Sequence, residues 1–264
     1  MPSMSTFVRA VMAAGLFAIA FLATSAPAWA EKVTIPPQGA LPAISGDMQR
    51  PAGPGPFPAV LVLHGCEGPS AVAAAAEQQL VQQGYVALAI DTLAPQGMKN
   101  ACANATASVI ANSARYAYVA LGWLATQPFV SGDRLGVVGF SMGAIEILGL
   151  IDPLEPHAPP PGLRAAVAYY PACGNRSPNV SVPLQILDGA ADDWNIPEPC
   201  QRLAADATAA GKTVLITTYP GVTHDFNQPA DATRTYLGHT LRYDAAATKD
   251  AAAKTAAFLA TYLK

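Results

Sequence analysis

The sequence predicts an α/β domain with a mostly parallel central sheet flanked by helices on both faces, and three observations predict it. Short apolar, β-rich runs alternate along the chain with longer helical stretches, the pattern of strand–helix–strand crossovers. The 264 residues carry 52% hydrophobic and only 12% charged side chains, enough for one domain with an ample core. Finally, the apolar run Arg134–Phe140 enters the helix-suited Ala144–Ile151 through a glycine-flanked turn, Gly139-Phe140-Ser141-Met142-Gly143.

In chain order, Val33–Ile35 and Leu41–Met48 read as two entry strands, joined through the turn-rich Pro51–Pro58 to the continuous apolar strand Ala59–Leu63. Ala71–Gln83 reads as a helix stopped by Gly84, and Tyr85–Ile90 as the next strand. Ala107–Thr126 is a long amphipathic helix closed by Pro128. The strand and helix around Ser141 follow, and then the strand Ala165–Tyr170. Two further strands, Pro183–Leu187 and Thr213–Tyr219, each open into a loop, and a helix from about Ala245 to Leu263 closes the chain. Pro153–Pro161 is a Pro-rich loop too short to be a separate lid domain.

The N-terminus carries targeting signals. Arg9 precedes the apolar stretch Ala10–Ala23, and Ala28-Trp29-Ala30 forms an A-x-A site, so residues 1–30 read as a secretory signal peptide cleaved after Ala30. The competing reading is an uncleaved anchor, and Met4 is an alternative start. Removing residues 1–30 leaves a single domain of 234 residues, 31–264, with formal charge −4 once Arg9 is gone. The mild acidity and low charge give no basic face for nucleic acid. The sequence shows no phosphate loop, no Cys/His metal spacing and no internal repeat. The expected location is secreted or periplasmic, with no stable membrane insertion after cleavage.

A strand entering a helix through G-x-S-x-G is a nucleophile elbow. Its turn is so sharp that the serine is strained and its hydroxyl raised above the sheet, while side chains at either glycine would collide with the neighbouring strand and helix. That fold, the α/β-hydrolase fold, carries its triad in the chain order Ser, acid, His. Asp188-Gly189-Ala190-Ala191-Asp192-Asp193-Trp194 follows one later strand, and Pro220-Gly221-Val222-Thr223-His224-Asp225-Phe226 follows the next. Ser141 is therefore the expected nucleophile, His224 the base and Asp192 the orienting acid. Asp188 and Asp193 stay in contention, Asp188 as a strand cap and Asp193 as a solvated carboxylate. His157 and His239 read as surface residues, and His64 as ordering a backbone turn. The glycine-rich His64-Gly65-Cys66-Glu67-Gly68 can aim a backbone N–H at a developing oxyanion, giving Cys66 and Met142 as the expected donors.

Four cysteines in an exported chain suggest disulfides, for which three connectivities exist. Cys66 and Cys102 follow two consecutive strands, and Cys173 and Cys200 follow two later ones. Parallel strands with helical crossovers bring those loops to one edge of the sheet, so the expected pairs are Cys66–Cys102 and Cys173–Cys200, against buried free thiols.

Four ordered motifs resemble the dienelactone hydrolase family: Leu63–Gly68, Gly139–Gly143, Asp192-Asp193-Trp194 with Pro199-Cys200, and Tyr219–Phe226. Arg242–Ala247 and the terminal helix resemble its exported branch, so the likeness spans nearly all of 31–264. The resemblance implies a compact α/β hydrolase of small-molecule esters or lactones without metal or organic cofactor. Three departures accompany it. Ser141 stands where the name-giving enzymes use Cys, and Gly65 where their oxyanion loop carries Glu. Ala94-Pro95-Gln96 and Phe226-Asn227-Gln228 occupy places where they present arginines to a substrate carboxylate. Neutral substrates are therefore expected to be favoured, with Arg115 or Arg242 the candidates should a carboxylate clamp exist. The rival readings are a peptidase or amidase on the same fold, and a non-catalytic binding protein on a hydrolase scaffold.

Overall fold

The computed structural model describes residues 29–153, 162–230 and 232–264. An eight-stranded sheet runs in the order β1-β2-β4-β3-β5-β6-β7-β8. Its first strands, β1 (Trp29–Ile35) and β2 (Ile44–Arg50), are antiparallel to each other, and β2 is antiparallel to β4 (Val86–Ile90). From β4 onward every pairing is parallel, through β3 (Phe57–Leu63), β5 (Val130–Phe140), β6 (Leu163–Tyr169), β7 (Leu184–Gly189) and β8 (Val214–Tyr219).

The sheet is buried on both faces, and strand periodicity divides its side chains between two cores. Ala59, Leu61 and Leu63 of β3 belong to the core covered by α2 (Ala107–Ala125), α3 (Met142–Leu150) and, further along the sheet, α4 (Glu198–Ala209). Val60 and Val62 meet α1 (Ala71–Gln82) and α5 (Ala245–Leu263) on the other side. Caps set the helix starts: Ser70 Oγ accepts from Ala73 N–H, Thr106 Oγ1 from Val109 N–H and Asp244 Oδ1 from Ala247 N–H.

The fold is the one the sequence predicts, with differences at its edges. β1 begins at Trp29, ahead of the expected cleavage point, and its Trp29 and Ala30 pair with Arg50 and Gln49. β3 starts at Phe57, inside the stretch expected to be a connection, and β5 starts at Val130, four residues before the expected strand. The helix α4 and the hairpin β9 (Arg234–Tyr236) with β10 (His239–Leu241) were not anticipated. Most of the expected signal peptide, His157 and most of the Pro153–Pro161 loop lie outside the described residues. Among those described, no helix is long and apolar enough to cross a membrane.

Candidate active site

Every parallel strand delivers its C-terminal loop to one edge of the sheet, and the candidate residues meet there. Ser141 joins β5 to α3 at φ 50° and ψ −111°, a backbone region that side chains rarely occupy. Its amide is held by the Tyr169 carbonyl at 3.0 Å. The flanking glycines are required by contact: a Cβ on Gly139 would sit 2.5 Å from the Gly143 carbonyl oxygen. One on Gly143 would sit 2.6 Å from both the Leu63 and His64 carbonyl oxygens.

The loop after β7 carries Asp192 and the loop after β8 carries His224, both buried. His224 Nδ1–H donates to Asp192 Oδ2 at 2.6 Å. The other Asp192 oxygen accepts from the Trp194 and Asn195 amides at 2.9 and 2.8 Å. A carboxylate can only accept, so the ring proton is on Nδ1 and the Nε2 lone pair faces Ser141 Oγ, 2.9 Å away. The neighbouring acids do other things. Asp188 is no strand cap: it lies inside β7 with both carboxyl oxygens buried and unpartnered, and burial together with Asp192 pushes its pKa to about 8. Asp193 is not merely solvated, since its two oxygens accept from Thr240 N–H and anchor β10. His239 is half-buried and stacks on Trp194, which does line the cleft, with ring centroids 4.6 Å apart.

The loop after β3 has the backbone order expected of it. His64 Nδ1–H donates to the Gly65 carbonyl at 2.7 Å, while Nε2 accepts from Thr92 N–H at 3.1 Å. Burial works against charge on this ring, but Asp91, Glu146 and the Gly65 carbonyl outweigh it and raise its pKa. The next carbonyl, Cys66, accepts from Ala101 N–H at 2.7 Å, and the Cys66 side chain is tied to Cys102 in a disulfide. Cys173 and Cys200 form the second disulfide, so both expected pairings are present. Among the described residues no carbonyl accepts from the Cys66 or Met142 amide.

Ser141 and His224 open into a cleft of about 270 Å³. Tyr170 and Trp194 wall it, with ring centroids 4.7 and 5.2 Å from that of His224. Its charged lining is Glu67, Asp225 and Arg234. Burial raises the pKa of both acids, opposed at Asp225 by His224 and Arg234. Arg234 is the site residue that sequence reasoning missed. It comes from β9, whose three residues are all exposed and carry no strand periodicity to announce them. Its Nη2 donates to Asp225 Oδ2 at 2.8 Å and to Gln228 Oε1. Of the two expected cations, Arg242 donates to the Gly221 carbonyl and Arg115 lies between α2 and α3, and neither lines the cleft. Gln96 bonds Thr92 and Ser113 instead of facing substrate space. One group of metal-ligand types, Cys66, Glu67 and Cys102, comes within 4.8 Å among the described residues, but its two sulfurs are spent on each other in the disulfide.

The profile of the dienelactone hydrolase family matches residues 44–263. Among solved structures, the dienelactone hydrolase of Anabaena variabilis is 19% identical with a TM-score of 0.66, covering 90% of this chain and 99% of its own. A dienelactone hydrolase-like promiscuous phosphotriesterase from metagenomic libraries is 18% identical, with a TM-score of 0.72 and coverage of 90% and 99%. Esterase 2 of Thermogutta terrifontis, solved phosphorylated by paraoxon, is 17% identical, with a TM-score of 0.65 and coverage of 88% and 94%. No curated protein matches the sequence.

Proposed function

The chain belongs to the dienelactone hydrolase family, and from that premise we propose that it is an exported serine hydrolase of carboxylic esters or lactones. The observation that carries this reading is the unbroken chain Ser141 Oγ–His224–Asp192, at 2.9 and 2.6 Å, opening into the cleft. His224 takes the hydroxyl proton as Ser141 Oγ attacks the substrate carbonyl. Asp192, already holding Nδ1–H, stabilises the imidazolium that results. His224 then protonates the leaving alcohol, and the acyl-enzyme is hydrolysed by water that the same ring deprotonates. In a lactone the leaving alcohol stays attached to the acyl group, and the product is a hydroxy acid.

The oxyanion would be met by the N–H groups of Cys66 and Met142. A trans peptide holds its C=O and N–H in one plane pointing opposite ways. The carbonyl end of the Gly65–Cys66 peptide accepts from His64 Nδ1–H and from Gly68 N–H, which fixes the direction of the Cys66 N–H. His64 is thus a positioning residue.

Substrate charge follows from the lining. Arg234 is committed to Asp225 and Gln228, and Glu67 adds a second acid, so the cleft suits neutral substrates better than carboxylates. Export is supported by the Ala28-Trp29-Ala30 signal and the two disulfides. The test is covalent labelling of the mature protein with a fluorophosphonate, alongside turnover of p-nitrophenyl esters and small lactones. Ser141→Ala should abolish labelling and cost on the order of 10³-fold or more in kcat. Labelling that survives in Ser141→Ala would refute the assignment.

A further inference from the structure

A second cavity, about 540 Å³, lies on the side of the sheet away from α1 and α5, between α2 and α3. Its walls are hydrocarbon: Ile110 and Ala114 from α2, Ile145 and Leu150 from α3. Its polar groups are three, and none has its full set of partners. Arg115 Nε is buried with no hydrogen bond. Arg176 reaches over α3, its Nη1 lying 3.8 Å from where a Cβ on Gly149 would stand, and no hydrogen bond or ion pair joins its guanidinium to any described residue. Glu146 is fully buried; its Oε1 accepts from Thr92 Oγ1 at 3.4 Å, and its Oε2 has no partner.

Half-buried guanidiniums are ordinarily paired with carboxylates. Here two of them line one apolar trough in a chain with a surplus of acids, of net charge −3. We propose that this trough is a binding site for an aliphatic monocarboxylate, its hydrocarbon chain between α2 and α3 and its carboxylate on the Arg115 and Arg176 guanidiniums. Glu146 does not oppose such an anion. Burial pushes its pKa to about 8, which favours the uncharged acid. The site also has a route to the cleft. Glu146 bonds Thr92, the Thr92 amide holds His64, and His64 fixes the peptide that precedes Cys66. An aliphatic acid is the product class of ester hydrolysis, so the trough is placed to sense product. That link rests on the hydrolase reading; the binding itself does not.

The test is calorimetric titration of the mature protein with decanoate, and separately with decanol, below their aggregation limits. One decanoate should bind per chain, equally well after Ser141→Ala, and decanol about ten-fold more weakly or worse. The double variant Arg115→Ala/Arg176→Ala should weaken decanoate at least about ten-fold while leaving turnover of a short, soluble ester unchanged. If Arg115→Ala fails to fold, Arg115→Lys preserves the charge and stem but removes the fork, and it should still weaken binding. Decanoate binding unchanged in the double variant and in Arg176→Ala, equal affinity for decanol, or no binding at all would each overturn the proposal. Because calorimetry reads no turnover, an inactive enzyme that still binds decanoate would sink the hydrolase reading and leave the trough standing.

Discussion

Asp188 offers the sharpest separation of structure from catalysis, because it neighbours Asp192 yet touches nothing polar. Both of its oxygens are buried and unpartnered, and burial together with the Asp192 charge pushes its pKa to about 8. In the unfolded chain the same carboxyl ionises near pH 4. Between those values the folded protein keeps a proton that the unfolded chain has released, so stability falls as pH rises, by about 1.4 kcal/mol per pH interval. The stabilising effect of the protonated form is complete below about pH 4 and gone above about pH 8, a loss on the order of 5 kcal/mol at most. Asp188→Asn fixes the side chain in a neutral, isosteric form. The variant should melt like the parent near pH 4 and pull ahead as pH rises, by about 10 °C at pH 9 for a domain of this size. Its kcat should stay within a few-fold of the parent. Asp192→Asn should behave differently, losing on the order of 10⁴-fold in kcat through the wrong imidazole tautomer, while the loss of its charge lowers the Asp188 pKa and weakens the pH dependence of melting. Thermal melts at five pH values and ester turnover on the same samples decide the matter. Melting curves for parent and Asp188→Asn that run parallel across pH would show that Asp188 is not a buried, protonated acid. A crippled Asp188→Asn with an active Asp192→Asn would move the orienting acid.

Gly143→Ala would put a Cβ 2.6 Å from two backbone carbonyls of the oxyanion loop. Turnover should fall about 10²-fold or more, and an unchanged kcat would disprove the close fit of α3 against that loop. Replacing Cys66 and Cys102 by Ser should lower the melting temperature by about 10 °C. It should also depress kcat more than the same change at Cys173 and Cys200, because only the first pair anchors an expected oxyanion donor; equal kcat in the two variants would refute that role. For a matched pair of neutral and carboxylate-bearing esters, kcat/KM should favour the neutral one by roughly ten-fold or more. A preference for the anion that disappears in Arg234→Gln would instead make Arg234 the clamp.

Most of the sheet was legible because its strands are continuous apolar runs and its helices are punctuated by Gly84, Pro128 and the glycines of the elbow. The positions of Ser141, His224 and Asp192 followed from chain order, since a parallel sheet sends every such loop to one edge. What escaped notice lacked a periodic signal. The strand β9 is exposed at all three residues, and the tip of its hairpin places Leu237 at φ 49°, a conformation leucine rarely adopts, with Gly238 the lone turn signal beside it. Arg234 therefore could not be placed near Gln228 from sequence, although the two lie only six positions apart. The surroundings of Asp188 and Asp193 were equally hidden. Asp188 depends on which face of β7 it leaves, and Asp193 on the course of the turn beyond, which is set by Asn195 bonding the Tyr170 carbonyl and the Trp194 amide bonding Asp192.

The distribution of strain supports the same location for the chemistry. Among the described residues four non-glycines have positive φ: Ser141, Tyr170, Asp225 and Leu237. The first three line the cleft, and the fourth follows Tyr236, which lines it too. Such conformations cost on the order of 1–3 kcal/mol each and persist only where the surroundings over-determine them. The two disulfides are tied to that same edge. Cys66 and Cys102 follow β3 and β4, while Cys173 and Cys200 follow β6 and β7, with sequence separations of 36 and 27. Cross-links over loops of that length stabilise a fold by about 3–4 kcal/mol each. The stabilisation is thus concentrated where the backbone is least comfortable, and at Cys66 it falls on an expected donor itself. A binding module could be held rigid in this way, but it would have no use for a strained serine hydroxyl against the lone pair of an imidazole already fixed in one tautomer. Strain at Ser141 fits the proposal that its oxygen attacks another atom.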